Sequence, residues 1–146
     1  MDYKLENMEF KDKWSDKDFE QMCWHDSTIY SISFPFEDLL LKFDMDYILE
    51  WKYNEESEQS KFYIYPCNLI FYNVLNLSFD LNFEDETGIY ISEIERKNPI
   101  LSPNKKYTIW NYRIITDKGD INFTSTGFEQ IALKTPIWSD EFILKR

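Results

Sequence analysis

The only histidine of the chain, His25, lies in a short stretch that contains several residue types used in catalysis, MCWHDST at 22–28. His25, Asp26 and Ser27 are the residue types of a hydrolase triad, and Cys23 is a second nucleophile that a histidine can activate. Adjacent residues on a strand point to opposite faces, so Asp26 is poorly placed to orient His25, and the sequence has no G-x-S-x-G motif. We therefore predict that His25 and Asp26 have a structural role where a helix meets a strand.

Acidic side chains alternate along the clearest strand pattern in the sequence, residues 39–51. Asp44, Asp46 and Glu50 fall on its polar face, where residues two apart lie about 7 Å from each other. Two carboxylates at this separation can share a proton or an oxygen-bound cation. A small hydrolytic enzyme using Asp44, Asp46 and His25 is therefore one hypothesis. We predict neither a bound metal nor a cofactor, because carboxylates on a solvated strand face are common.

Two acidic runs, at residues 55–58 and 84–86, fall in predicted loops. Such runs are solvated, and they can dock a basic partner when an aromatic anchor lies beside them. Trp51 is the candidate anchor next to the first run. The predicted binding residues are Asp44, Asp46, Glu50, Trp51, Glu55, Glu56, Glu84 and Asp85.

The composition limits the classes of partner. The chain of 146 residues has 27 acidic and 16 basic side chains and a net charge of −11. A field of this sign attracts a basic protein and repels phosphate groups, so we predict no nucleic acid partner and no membrane surface. No apolar segment approaches the ~18 residues of a membrane span and no signal-peptide pattern is visible, so we expect a cytoplasmic location. Cys23 and Cys67 show neither disulfide nor zinc spacing.

The order of patterns predicts one helix followed by strands. Ser15 as N-cap and Asp18 at the capping-box position predict a short helix over residues 15–22. Pro66 is expected to end a strand, a bend is expected at 73–76, and a helical turn is expected before Pro136. Alternation of apolar and polar residues predicts strands at 27–34, 39–51, 61–65, 69–83, 88–97, 107–116 and 120–126.

These elements indicate a single, mainly β domain spanning residues 1–146. Aromatic residues make up 18% of the chain, which suits pleated, half-buried surfaces. We expect an antiparallel β-sandwich or a partly open barrel of about seven or eight strands with one short N-terminal helix. Within the domain, residues 1–13 are predicted as a polar lead-in, 14–136 as the core and 137–146 as a tail.

Several blocks form a wider pattern: WHD at the start of the first strand, then DxDYIxxW, LIFxNVxxL and GxIxFxxxGFxQ. With these blocks, over residues 19–136, the chain resembles a family of small uncharacterised bacterial proteins. The resemblance implies no assigned activity. The signature positions that it implies are Trp24, His25, Asp26, Asp44, Asp46, Trp51, Gly127 and Gln130.

The leading prediction is a non-catalytic cytoplasmic binding protein that offers an acidic surface to a basic protein partner. By analogy with small acidic proteins that neutralise toxins, this role would be immunity-like. The first alternative is the hydrolytic enzyme described above. The second alternative is a small-ligand carrier with an aromatic-lined pocket inside a half-open barrel. The sequence indicates no particular oligomeric state.

Overall fold

The structure is a computed structural model that describes residues 9–145, with the side chain of Phe36 excepted. Residues 1–8 of the predicted lead-in and residue 146 of the predicted tail therefore lie outside the described residues. Two short 3-10 helices are Asp16–Gln21 and Phe36–Asp38. The strands in the described range are β1 (Lys13–Ser15), β2 (Thr28–Ser33), β3 (Leu41–Asn54), β4 (Gln59–Tyr72), β5 (Leu75–Leu81), β6 (Ile89–Leu101), β7 (Thr108–Thr116), β8 (Gly119–Ser125), β9 (Gly127–Ala132) and β10 (Ile137–Ser139).

The strands form one antiparallel sheet. Its order is β1-β9-β4-β3-β2-β6-β7-β8-β5, and β10 pairs with β4. The end strands β1 and β5 are not paired with each other within residues 9–145, so the sheet is open. The prediction of a mainly β, antiparallel fold is confirmed. The predicted number of about seven or eight strands is wrong, since the sheet has 10 strands. The sequence predicts none of three of these strands: β1 and β10 have three residues each, too few to show alternation, and β9 forms at residues 127–132, where a helical turn is expected before Pro136.

The predicted N-terminal helix over residues 15–22 is a 3-10 helix of 6 residues. Its capping box is formed: the Asp18 carboxylate accepts a hydrogen bond from the Ser15 amide at 2.9 Å, and the Ser15 hydroxyl accepts one from the Lys17 amide. The prediction of a short N-terminal helix is therefore wrong to this extent: the segment forms no clear helix beyond these 3-10 turns, a geometry that is common in such short pieces. No helix among residues 9–145 has the length and apolarity needed to cross a bilayer.

Strand β4 continues through Pro66, where the sequence predicted a strand end. Pro66 pairs with Asp46 of β3 on one side. On the other side, β10 pairs with residues 62–64 and β9 pairs with residues 67–72, so the missing amide hydrogen of Pro66 falls between two neighbours. The predicted bend at 73–76 is confirmed as a break between β4 and β5, where Asn73 and Asn76 adopt φ angles of 52° and 55°.

A β-bulge at Leu49 inverts the alternation of β3. Ile48 pairs with Ile64 of β4, but Glu50 pairs with Tyr63, so Leu49 is an extra residue in the ladder. Because paired residues share a face, every side chain after the bulge lies on the face opposite to the one predicted. The uninterrupted apolar character of Ile48 and Leu49 hides this change in the sequence.

The sheet bends so that β4 and β9 pack across the interior against β7 and β8. Phe71 of β4 lies at the centre, with its ring centroid 4.7 Å from Phe123, 5.0 Å from Tyr112 and 5.5 Å from Phe128. All four rings are buried, and each contributes about 1.5–3 kcal/mol of hydrophobic stabilisation. Contacts among aromatic rings thus form the centre of the core.

The C-terminal tail packs on the outer face of β3 and β4. A second apolar cluster there contains the buried residues Ile48, Phe62 and Ile64, and Phe142 and Leu144 of the tail pack against it. Residues 137–145 are therefore part of the packed domain, with β10 extending the sheet. The tail therefore covers part of the face of β3 that the sequence predicted to be solvated.

Candidate functional site

His25 lies on the turn between the first 3-10 helix and β2. Its Nδ1 is 3.3 Å from the carbonyl oxygen of Ser92, its Nε2 is 3.6 Å from Asp26 Oδ2, and its ring centroid is 6.1 Å from that of Trp51. Asp26 adopts a φ of 65°, and its amide donates a hydrogen bond to the Ile91 carbonyl. These contacts connect the turn to β3 and β6, and neither Asp44 nor Asp46 takes part in them.

Asp46 is fully buried, whereas the sequence placed it on a solvated face. Its Oδ2 accepts hydrogen bonds from the Tyr30 hydroxyl at 2.5 Å and from the Leu144 amide at 3.0 Å. The prediction that Asp46 lies on an exposed binding surface is wrong because the C-terminal tail covers it. Asp44, two residues earlier, is half-buried between β2 and β4.

The bulge at Leu49 changes the faces of β3 on which Glu50 and Trp51 lie. Glu50 pairs with Tyr63, a residue packed against the main core, so it lies on the interior side of the sheet. Trp51 lies on the outer face, with its ring 6.4 Å from Phe62. The expectation that Asp44, Asp46 and Glu50 share one face of β3 is therefore wrong, because the extra residue moves Glu50 to the other side.

Glu55 and Glu56 lie at the exposed tip of the hairpin between β3 and β4, as predicted. The side chain of Asn54 accepts hydrogen bonds from the amides of Glu56 and Ser57 at 2.9 and 3.2 Å, which holds the turn. The tip belongs to the half of the sheet opposite to β5. The two acidic runs are thus presented by different hairpins.

Glu84 and Asp85 line a cleft with a volume of about 500 Å³. The cleft follows β5 directly and is formed with the turn between β7 and β8. The lining residues are Asn82, Glu84, Asp85, Glu86, Asp117 and Lys118. Asp117 and Lys118 come from a segment about 30 residues away along the chain, which is why the sequence pattern did not associate them with the acidic run.

Hydrogen bonds join the two segments of this cleft. The backbone N–H of Asn82 donates a hydrogen bond to the backbone carbonyl oxygen of Lys118 at 2.9 Å. Lys118 Nζ lies 2.7 Å from Asp117 Oδ2 and 3.3 Å from Glu86 Oε1. Its hydrogen bond with Asp117 raises the pKa of Lys118, so the lysine stays protonated. Burial acts to raise the pKa of Asp117, but hydrogen bonds from Lys118 and from the Tyr90 amide hold it below its ordinary value, so the carboxylate stays charged.

The acidic character continues from the cleft onto the outer face of β5 and β8. Asp80 of β5 pairs directly with Asp120 of β8. Arg113 of β7 neutralises Asp120, with Nη2 at 2.6 Å from Oδ2. Like charges opposite each other on neighbouring strands are destabilising, and Arg113 compensates for only one of them. Among residues 9–145, neither Asp80, Glu84 nor Asp85 forms an ion pair.

We call this region the acidic surface. Its carboxylates are Asp80, Glu84, Asp85, Glu86, Asp117 and Asp120, and its cations are Arg113 and Lys118. Most of these side chains are exposed, so their negative charge is available to a partner. The described residues contain no group of three or more His, Cys, Asp or Glu side chains arranged to hold a metal ion. The arrangement suits distributed attraction of ammonium and guanidinium groups on a partner.

Comparisons of the chain with models of protein families, with curated proteins and with solved structures gave no match. The proposal for function consequently depends on the charges and geometry of the chain itself. Of the predicted binding residues, the structure brings Glu84 and Asp85 together with further carboxylates, and it distributes the others over separate places. The acidic run at 84–86 is the sequence signal that located this surface.

Proposed function

We propose that the protein binds a basic protein partner through the acidic surface and that it does so without catalysis. The observation that carries this proposal is the concentration of six carboxylates and only two cations around one cleft and the adjoining strand face. Asp80, Glu84 and Asp85 form no ion pair within the described part of the chain. Lysine and arginine side chains of a partner would compensate for these three negative charges.

The arrangement favours a protein partner over a single bound cation. The carboxylates extend from the cleft along β5 and β8, which matches the width of a protein surface with several basic side chains. The net charge of −11 adds long-range attraction that accelerates the encounter. A basic toxin neutralised in the cytoplasm is one partner of this chemistry, so an immunity-like role and a cytoplasmic location are included in the proposal.

The proposal is tested by capturing partners from the native cell with wild-type protein and with two variants of equal charge change. In the loop variant, residues 84–86 become Gln, Asn and Gln. In the hairpin variant, the three glutamates of the 55–58 turn become Gln. We expect the wild type and the hairpin variant to retain the same basic protein and the loop variant to lose it. Equal retention by the two variants would contradict the proposal.

A further inference from the structure

Strand β5 is an end strand of the sheet. It pairs with β8 on one side, and no strand formed by residues 9–145 pairs with its other side. Within this part of the chain, the backbone amides and carbonyls along that side of its 7 residues have no strand partner, and such an edge can pair with another strand. In addition, β5 leads directly into the acidic run at 84–86, so a segment placed along this edge would end at the acidic cleft.

The free edge carries exposed apolar side chains. Phe79 of β5 is 40% exposed although it pairs with Ile121, which is fully buried in the core. Phe34, the residue that follows β2, is 53% exposed, and its ring lies 5.6 Å from that of Phe79 in an edge-to-face arrangement. Buried aromatic residues surrounded by charged ones are typical anchors of protein interfaces, and a neighbouring strand would bury both rings.

From the free edge, the apolar pair and the charges we infer that β5 receives an extended segment of the basic partner by strand addition. This inference rests on the proposed function and specifies how the partner is bound. Successive residues of β5 present Phe79 on the interior side and Asp80 on the outer side. Side chains opposite each other in a ladder share a face, so the partner segment should alternate apolar and basic residues.

The inference is tested with two labelled synthetic peptides of about ten residues, a length that covers β5. One alternates lysine and valine. The other alternates lysine and proline, which keeps the charge but removes every second amide donor. Dissociation constants are measured by fluorescence anisotropy at low salt. We expect the lysine–valine peptide to bind at least about ten-fold more tightly, a difference of about 1.4 kcal/mol.

Variants separate the edge from the charges. Phe79→Ser should reduce the preference for the lysine–valine peptide to less than about three-fold. Leu101→Ser changes an apolar residue of β6 that is 63% exposed, and it should leave the preference for the lysine–valine peptide unchanged. Thermal unfolding of each variant verifies that it is folded, and the comparison of the two peptides on the wild type does not depend on any variant.

The outcomes distinguish this inference from the proposed function. Equal affinity for the two peptides, weakened alike by the loop variant, would overturn strand addition and leave the acidic surface as the binding site. If neither peptide binds, the result contradicts both strand addition and the proposed function. A second readout is hydrogen exchange: we expect added protection of the amides of residues 75–81 with the lysine–valine peptide, and protection confined to other segments would overturn the inference.

Discussion

Trp24 Nε1 donates a hydrogen bond of 2.8 Å to Oε1 of Gln130, a residue 106 positions later in the chain. Gln130 Nε2 in turn donates to the Tyr65 hydroxyl at 3.0 Å, and all three side chains are buried. The bond connects the WHD block to the GFxQ block of the family pattern that the sequence suggested. Two of the expected signature positions therefore maintain the fold, and Gln130 does so from strand β9, where the sequence predicted a helical turn.

Replacing Gln130 by leucine should lower the free energy of unfolding by about 2–4 kcal/mol. The substitution removes the acceptor of the buried Trp24 indole N–H and a donor to the buried Tyr65 hydroxyl. Urea denaturation followed by tryptophan fluorescence measures the change. Gln21→Leu, at an exposed position, is the control, with an expected change within about 0.5 kcal/mol. Equal costs for the two substitutions would show that the buried bond adds no stability.

Gly119→Ala should destabilise the protein by about 3 kcal/mol or more. Gly119 adopts a φ of 132°, and a Cβ atom there would lie 1.9 Å from the Asp80 carbonyl oxygen. Gly88 is the matched control, since its added Cβ would meet Tyr90 at an ordinary 3.4 Å and Gly88→Ala should change stability by less than about 1 kcal/mol. Thermal unfolding measures the difference. Similar unfolding temperatures for the two variants would contradict the close approach of the β5 backbone to Gly119.

Tyr30→Phe should lower stability by about 1–3 kcal/mol, because it removes a hydrogen bond to the buried carboxylate of Asp46. The same hydroxyl lies 3.2 Å from the Leu144 carbonyl oxygen, so the change should also loosen the C-terminal tail. Tyr107→Phe, at a residue 53% exposed, provides the control. Urea denaturation gives the free energies, and proteolysis of the tail should be faster only in Tyr30→Phe. Unchanged tail cleavage would contradict this role of Tyr30.

Glu129 should contribute more to stability at neutral pH than in acid. Hydrogen bonds from Lys13 and Tyr72 hold the pKa of Glu129 below its ordinary 4.5. A carboxylate with a folded-state pKa below the unfolded-state value stabilises the fold above the unfolded-state value, and this contribution is lost as pH falls through the folded-state value. The stability difference between wild type and Glu129→Gln should therefore decrease from about pH 7 to about pH 3. Exposed Glu37, changed to Gln, serves as the control, and a difference independent of pH would contradict the argument.

The strand pattern predicted the fold class because alternation is a local property. Phe43 and Met45, which alternate with the polar residues of the 39–51 pattern, are buried in the main core. The bulge at Leu49 could not be predicted, since an apolar residue fits either face and the register depends on the partner strand. The strand end predicted at Pro66 is wrong for a similar reason. The missing N–H of Pro66 interrupts a strand only if a neighbouring strand would accept its hydrogen bond, and the neighbours β9 and β10 lie far along the chain.

The site was predictable only where it is contiguous in sequence. Glu84 and Asp85 form a charge run that can be recognised directly, whereas Asp117 and Asp120 join them through the pairing of β5 with β8. Burial of Asp46 depends on Leu144, 98 residues away, so a local pattern of polar residues was misleading there. Charge runs on loops are accordingly the more reliable sequence signal in this chain, and alternation on strands is reliable only up to the first bulge.

The most direct test of the account is the salt dependence of the affinity between the purified protein and its captured basic partner. Dissociation constants are measured from about 50 to about 500 mM NaCl for the wild type and for the loop variant with neutral residues at 84–86. We predict that the wild-type dissociation constant rises at least about ten-fold over this range and that the loop variant binds more weakly and with a smaller salt dependence. A wild-type affinity that is independent of salt, or a loop variant with the wild-type salt dependence, would contradict the account.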